Sequence, residues 1–219
     1  MKGGSGKSTS AMCLAAHWHK ADVRVALIDA DPAGTLVRWI ETGDDLADLQ
    51  AVATAPDVVG TQIDRLLADG FQRIIIDTPG FRSHATDDAI RGSDLVLVRM
   101  RPSPVDYQVA VDTVELIDQI TAGQASWSGT VRFLLSQTIR GSVIARHMRA
   151  QMEAAGFQPL STELSSRVVY GEAALAGSAP SYYQPRGAGA LDIAAFVAEV
   201  DALLLKGKTR KRRAMGSPT

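Results

Sequence analysis

Short apolar runs alternate with stretches of helical periodicity along most of this chain. Runs rich in Val, Ile and Leu, bounded by turn residues, are typical of strands that are buried on both faces of a sheet. They lie at 23–28, 49–53, 73–76, 95–98, 131–135 and 159–164. Apolar residues spaced as on one helix face predict helices between and after these runs. The helices lie at 8–20, 56–69, 83–91, 105–120, 143–155, 168–176 and 191–205.

This alternation of strands and helices favours an α/β fold, in which helices flank a mostly parallel, doubly wound sheet. In open sheets of this kind, ligands bind outside the carboxyl ends of the strands. The residues that directly follow each predicted strand are therefore candidates for chemistry.

A glycine-rich, basic stretch precedes the first predicted helix. It reads Lys2, Gly3, Gly4, Ser5, Gly6, Lys7, Ser8 and Thr9. The Gly-Lys-Ser sequence is the end of a Walker A loop, whose glycines let backbone N–H groups surround a phosphate. In such a loop Lys7 reaches the β- and γ-phosphates, and the Ser8 hydroxyl can ligate Mg²⁺. The alternative is a glycine-rich turn that happens to precede a basic residue.

Acidic residues follow two of the predicted strands. Asp29 and Asp31 come directly after the strand at 23–28, and Asp77 follows the strand at 73–76. A carboxylate beside a terminal phosphate can orient the attacking water, and a neighbouring carboxylate can hold the water shell of Mg²⁺. We assign Asp31 to the water, and Ser8, Asp29 and Asp77 to the magnesium ion. The alternative is that these acids only end their strands.

The octet that begins at Lys2 resembles the deviant Walker A box of the ParA/MinD family of P-loop ATPases, which carries an extra lysine before the glycines. Asp29-Ala30-Asp31-Pro32 is similar to that family's second motif, and the strand ending at Asp77 is similar to its Walker B strand. The three motifs follow one another in the family's order. The similarity is greatest to the short plasmid and chromosome partition ParA proteins.

This resemblance implies a P-loop NTPase that binds ATP and Mg²⁺ and hydrolyses ATP. It also implies an ATP-dependent homodimer, in which Lys2 of one subunit contacts the nucleotide of the other. A partition protein of this type binds DNA non-specifically and meets a cargo-bound or centromere-binding adaptor protein that stimulates hydrolysis. This chain has Ala33 where the family usually has Gln, so the fine tuning of hydrolysis or of dimer contacts does not carry over.

The P-loop of this family follows a buried strand, and no such strand precedes Lys2 in the sequence. We therefore expect residues 1–205 to form the ATPase domain without its first strand. Either Met1 lies downstream of the true start or this copy is damaged, and we favour the downstream start because a lost central strand leaves backbone groups unpaired.

Positive charge is concentrated in the C-terminal third, although the net charge of the whole chain is only −1. We expect the basic stretch 206–219 to be a disordered tail, because a block of like charge cannot bury itself. Phosphate-binding candidates for DNA are Arg140, Arg146, Arg149, Arg167, Lys206, Lys208, Arg210, Lys211, Arg212 and Arg213. The alternative is that these residues are only solvated surface charges.

Two other functional classes are less consistent with the sequence. A membrane-recruited regulator like MinD needs a C-terminal amphipathic helix with a broad apolar face, and 206–213 has no interleaved aromatic residues. A metal-cluster reductase needs bridging cysteines, and Cys13 is the single cysteine. No signal peptide and no membrane-length apolar run is present, so we expect a cytoplasmic, nucleoid-associated protein.

Overall fold

The computed structural model describes residues 6–55, 57–122, 124 and 127–215, and side chains as far as residue 207. Lys2, Gly3, Gly4 and Ser5 of the glycine-rich stretch therefore lie outside the described residues. In chain order the elements are α1 (Lys7–Lys20), β1 (Val25–Asp29), α2 (Thr35–Ile40), β2 (Gln50–Ala53), α3 (Val59–Ala68), β3 (Arg73–Asp77), α4 (His84–Gly92), β4 (Leu95–Met100), α5 (Pro104–Thr121), β5 (Thr130–Thr138), α6 (Val143–Ala154), β6 (Leu164–Ser165), α7 (Val169–Leu175), α8 (Pro180–Tyr183) and α9 (Ala188–Met215).

The chain divides into two compact units, of which the first combines the described residues up to Gly92 with Arg167–Ala194. Its sheet has the strand order β2-β1-β3, and both pairings are parallel. The central strand β1 is buried at every position, because neighbouring strands cover its edges and helices cover its faces. A central strand that is covered on both faces requires a continuous apolar run, and β1 has one.

The second unit contains Ser93–Ser166 and the part of α9 from Ala195 onward. Its strands β4, β5 and β6 pair in that order, again in parallel. Helix α5 begins with Ser103 as its N-cap, whose side chain accepts a hydrogen bond from the Asp106 N–H, and with Pro104 in its first turn.

These parallel strands and flanking helices confirm the predicted α/β fold class. Two short helices, α2 and α8, were not predicted, and the last strand is at Leu164–Ser165 rather than at 159–164. The backbone of α9 is helical as far as Met215, which takes in residues 206–215 of the stretch 206–219 that we expect to be a disordered tail. Residues 206–215 extend a helix whose preceding turns pack in the core through Phe196, Val197 and Val200, and helical propagation is easier than nucleation.

Candidate functional site

The end of the glycine-rich stretch is built as a helix start. Gly6 has a φ of 78°, in the left-handed region that glycine adopts without steric strain, and α1 begins at the next residue. The Gly6 carbonyl accepts hydrogen bonds from the backbone N–H and the side chain of Ser10, each 3.0 Å long. The first turn of α1 contains no acidic residue and no side chain caps it. Its N–H groups and the helix dipole therefore favour an anion.

A hydrogen bond ties this helix start to the Walker B strand. The Ser8 hydroxyl donates to Asp77 Oδ2 across 2.5 Å, although the two residues are 69 positions apart in the sequence. Asp77 ends β3 and is only 4% exposed. The structure thus brings a hydroxyl and a carboxylate that were both assigned to Mg²⁺ into direct contact.

Asp29 lies beside Asp77, because the two residues are register partners at the ends of β1 and β3. It is 1% exposed. Its Oδ2 accepts hydrogen bonds from the N–H groups of Leu36 and Val37, at 2.8 and 3.3 Å, and so holds the first turn of α2. Its Oδ1 is buried without a hydrogen-bond partner among the described residues. One carboxylate therefore supports a helix and also presents an unused oxygen.

Asp31 lies in the loop between β1 and α2 and is partly exposed. Its Oδ1 accepts a hydrogen bond from the Ala33 N–H at 2.9 Å, and its carbonyl accepts one from the Gly34 N–H at 2.8 Å. These bonds make a tight turn that fixes the aspartate side chain. Asp31 is close enough for its charge to raise the pKa of Asp77.

The electrostatic balance at Asp77 depends chiefly on burial. Desolvation raises the pKa of this carboxyl to about 6, while the hydrogen bond from Ser8 and the positive charge of Lys7 act in the opposite direction. The negative charges of Asp29 and Asp31 raise it further. A cation placed here would relieve the repulsion among the three carboxylates.

The residues at this edge fit a hydrated Mg²⁺ better than a cation held by protein ligands alone. Within the described part of the chain, no group of three or more His, Cys, Asp or Glu side chains is arranged to hold a metal ion. Mg²⁺, however, keeps several waters and is usually held by one or two carboxylates together with substrate phosphates. Ser8, Asp77 and the unpartnered Oδ1 of Asp29 provide such a set.

Thr9 lies in the first turn of α1 and is partly buried. Lys2 to Ser5, which complete the predicted phosphate loop, lie outside the described residues. The sequence did not predict that Asp29 would hold the start of α2. That bond depends on α2, whose six residues are too few to show a helical period in the sequence.

The basic residues predicted to bind DNA fall into two groups. Arg140, Arg146 and Lys206 are exposed. Arg149 instead forms an ion pair with Glu163 at 2.8 Å, and Arg167 forms one with Asp192 at 2.7 Å. A guanidinium that is already paired attracts a phosphate less strongly. The side chains of the remaining candidates lie outside the described part; they are Lys208, Arg210, Lys211, Arg212 and Arg213.

The start of α1 faces the carboxyl ends of two adjacent parallel strands, and each strand ends in an aspartate. This arrangement defines the class of P-loop nucleotide-binding proteins. Comparison with known proteins then identifies the family. The profile of the VirC1 protein family matches residues 1–153, and the chain belongs to this family, within the ParA/MinD group of ATPases. The predicted resemblance is confirmed.

Individual relatives agree with this assignment. The chain is 29% identical over 194 residues to maintenance of carboxysome distribution protein A of Halothiobacillus neapolitanus, with 88% of each chain covered. It is 34% identical over 118 residues to protein ParA of Rhizobium radiobacter, which covers 53% of this chain and 52% of that protein. The septum site-determining protein MinD of Pyrococcus horikoshii, solved with Mg-ADP, has the same fold, with a TM-score of 0.71 and 19% identity over 92% of this chain and 93% of that chain.

Proposed function

We propose that this chain is an ATP-dependent partition protein, which forms a homodimer on binding Mg·ATP, binds DNA without sequence preference and leaves it after hydrolysis. The observation that carries the proposal is the contact between Ser8 and Asp77 beside the buried Asp29. It joins a phosphate-binding helix start to two carboxylates that fit a hydrated magnesium ion. The names of the relatives support a protein that distributes or positions cargo.

Each residue at the site has a separate role in this proposal. Lys7 and the N–H groups at the start of α1 bind the β- and γ-phosphates. Ser8, Asp29 and Asp77 hold hydrated Mg²⁺, which when bound neutralises charge on the phosphates. Asp31 orients the attacking water through Oδ2, because its Oδ1 already accepts the Ala33 N–H.

The dimer part of the proposal depends on the family resemblance. Lys2 contacts the nucleotide of the partner subunit, so that the phosphate charge offsets the repulsion between two lysines that face each other. Hydrolysis removes part of that negative charge and releases the subunits. An adaptor protein bound to the cargo increases the rate of hydrolysis, and association of the dimer with the nucleoid follows from DNA binding.

Arg140, Arg146 and Lys206 are the described side chains that we propose for DNA binding, together with the basic stretch beyond them. A dimer has two copies of these residues and so twice the number of phosphate contacts. Because ATP is needed to form the dimer, DNA binding requires ATP. No helix in the described part of the chain is long and apolar enough to cross a lipid bilayer. The MinD-like membrane alternative is an outcome of the test below.

The DNA interaction is tested by retention of a random-sequence duplex with ATP and with ADP at several salt concentrations. We expect retention only with ATP, and affinity that falls steeply with salt because phosphate contacts release counterions. The double variant Arg140→Ala/Arg146→Ala should bind about 10-fold to 100-fold more weakly, with a salt slope lower by about 2 per subunit.

The matched control is Arg38→Ala/Arg186→Ala, which removes two exposed arginines that are not candidates for DNA binding and should leave retention unchanged. Equal retention with ADP and ATP contradicts the nucleotide switch. Binding to anionic vesicles in place of DNA supports the membrane-recruited alternative.

A further inference from the structure

The segment Ala176–Tyr183, which we call the strap, is bonded to the region that follows Asp31. The indole Nε1 of Trp39, in α2, donates to the Ser178 carbonyl at 2.9 Å. The Ser178 hydroxyl donates to Asp45 Oδ2 at 2.5 Å. Ser178 is only 2% exposed, and Trp39 is also buried. A buried polar group that loses its partner is destabilising, so the Trp39 bond holds α2 against the strap, and the Asp45 bond holds the loop that follows α2.

Two glycines make this contact close. Gly177 has a φ of +61°, and a Cβ added to it would overlap the backbone of Gly43. A Cβ added to Gly43 would overlap the Ala176 carbonyl. The backbone of the strap and the backbone at Gly43, shortly after α2, therefore lie against each other with no room for a side chain.

The other end of the strap is attached to α1, the helix that starts at the phosphate loop. Lys20 Nζ donates to the Ser181 carbonyl at 2.6 Å and lies 4.9 Å from the centre of the Tyr182 ring. His19 Nδ1 is 2.9 Å from the Tyr182 hydroxyl. The strap thus joins the far end of α1 to the far end of α2.

The near end of α2 is held by Asp29, and the loop that carries Asp31 lies between Asp29 and α2. Helix α2 has only six residues, so its position depends on these contacts at its two ends. We propose that the strap sets the position of α2, and so of Asp31, relative to α1. Trp39, Asp45 and Ser178 are then positioning residues for hydrolysis.

Nucleotide binding and hydrolysis should depend on the strap to different degrees. The N–H groups at the start of α1 and the Lys7 side chain bind phosphate whether or not α2 is held in place. The water that Asp31 orients must lie within a few tenths of an ångström of its productive position. Loss of the strap contact should therefore reduce kcat and leave nucleotide affinity almost unchanged.

The first test is hydrogen exchange of the full chain without nucleotide, which does not depend on the proposed function. In Trp39→Phe, the amides of Leu36 and Val37 should exchange about tenfold faster, because α2 has lost its hydrogen bond to the Ser178 carbonyl. The amides of Leu27 and Ile28 in β1 should keep their parent rates. Unchanged exchange at Leu36 and Val37 overturns the inference, and so does an equal increase in β1, which indicates general destabilisation.

Substitutions at two further positions sharpen this test. Asp45→Asn keeps an oxygen that accepts the Ser178 hydroxyl and should resemble the parent. Asp45→Ala should show a smaller increase in exchange than Trp39→Phe, because the bond from Trp39 to the Ser178 carbonyl remains. Asp44→Ala is the matched control, because it removes the neighbouring exposed carboxylate and leaves the bonds of the strap intact. Exchange in Asp45→Asn as fast as in Asp45→Ala contradicts the role of this hydrogen bond.

The second test is steady-state ATP hydrolysis, and this part rests on the proposed function. We expect kcat in Trp39→Phe to fall about 3-fold to 10-fold with unchanged ATP affinity, and Asp44→Ala to match the parent. A fall in affinity with unchanged kcat overturns the positioning role. A parent chain that hydrolyses no ATP contradicts the proposed function instead, and the exchange result then decides whether the strap holds α2.

Discussion

Replacement of Asp31 by alanine is expected to stop ATP hydrolysis and to leave ATP binding intact. Asp31 is fixed by its turn with Ala33, lies near Asp77 and is partly exposed, so it can reach a water without supporting the fold. A group that acts only on the attacking water contributes to the transition state and not to ground-state binding. We expect a fall in kcat of about 100-fold to 10,000-fold.

Lys7→Ala is the complementary variant, since we propose that Lys7 contacts the phosphates in the ground state. It should weaken ATP binding by roughly 100-fold or more. Phosphate release, equilibrium nucleotide binding and sizing are measured on both proteins, and Asp31→Ala should accumulate as the ATP-bound dimer. Asp48→Ala, which removes an exposed aspartate outside the site, is the control. Hydrolysis by Asp31→Ala at the parent rate contradicts the assignment.

Replacement of Asp77 by asparagine is expected to stabilise the protein without Mg²⁺ and to damage its activity. Burial raises the pKa of this carboxyl to about 6, against an ordinary value of 3.8, so the folded state favours the protonated form. The parent should therefore lose stability as pH rises from about 4 to 6, by about 2–3 kcal/mol from this group. Asparagine carries no charge and can still accept the Ser8 hydrogen bond.

Thermal unfolding of parent and Asp77→Asn at pH 4 and at pH 8, without nucleotide or Mg²⁺, tests this effect. The variant should be the more stable protein at pH 8, with a smaller difference at pH 4. The Mg²⁺ concentration required for hydrolysis should rise about 10-fold to 100-fold, because one carboxylate that holds the hydrated ion is lost. Asp48→Asn controls for removal of an acidic charge. A variant less stable than the parent at pH 8 contradicts the account of Asp77.

The strands and the first helix could be predicted from the sequence because their signals are local. The apolar run of β1 ends in Asp29, and α1 repeats its apolar residues with the period of a helix. Helix α2 could not be predicted in the same way. Its six residues are held by Asp29 at one end and by Ser178 at the other, and neither contact is visible in local periodicity.

In the candidate site, too, the sequence predicts the local features and misses those that depend on distant contacts. Spacing and motif order placed Ser8 and Asp77 at one edge of the sheet, and the structure joins them. The second role of Asp29 depends on where α2 lies. The acidic partners of Arg149 and Arg167 are 14 and 25 residues away, so the sequence alone predicts that both arginines are available for DNA. Pairings of this kind follow from packing and not from composition.

The central claim is that this chain binds Mg·ATP at the start of α1 beside Asp29 and Asp77. The most direct measurement is a calorimetric titration of the purified chain with ATP, with and without Mg²⁺. The account predicts one ATP per chain, bound more tightly when Mg²⁺ is present. An absence of binding at millimolar ATP, or an affinity that Mg²⁺ does not change, would contradict it.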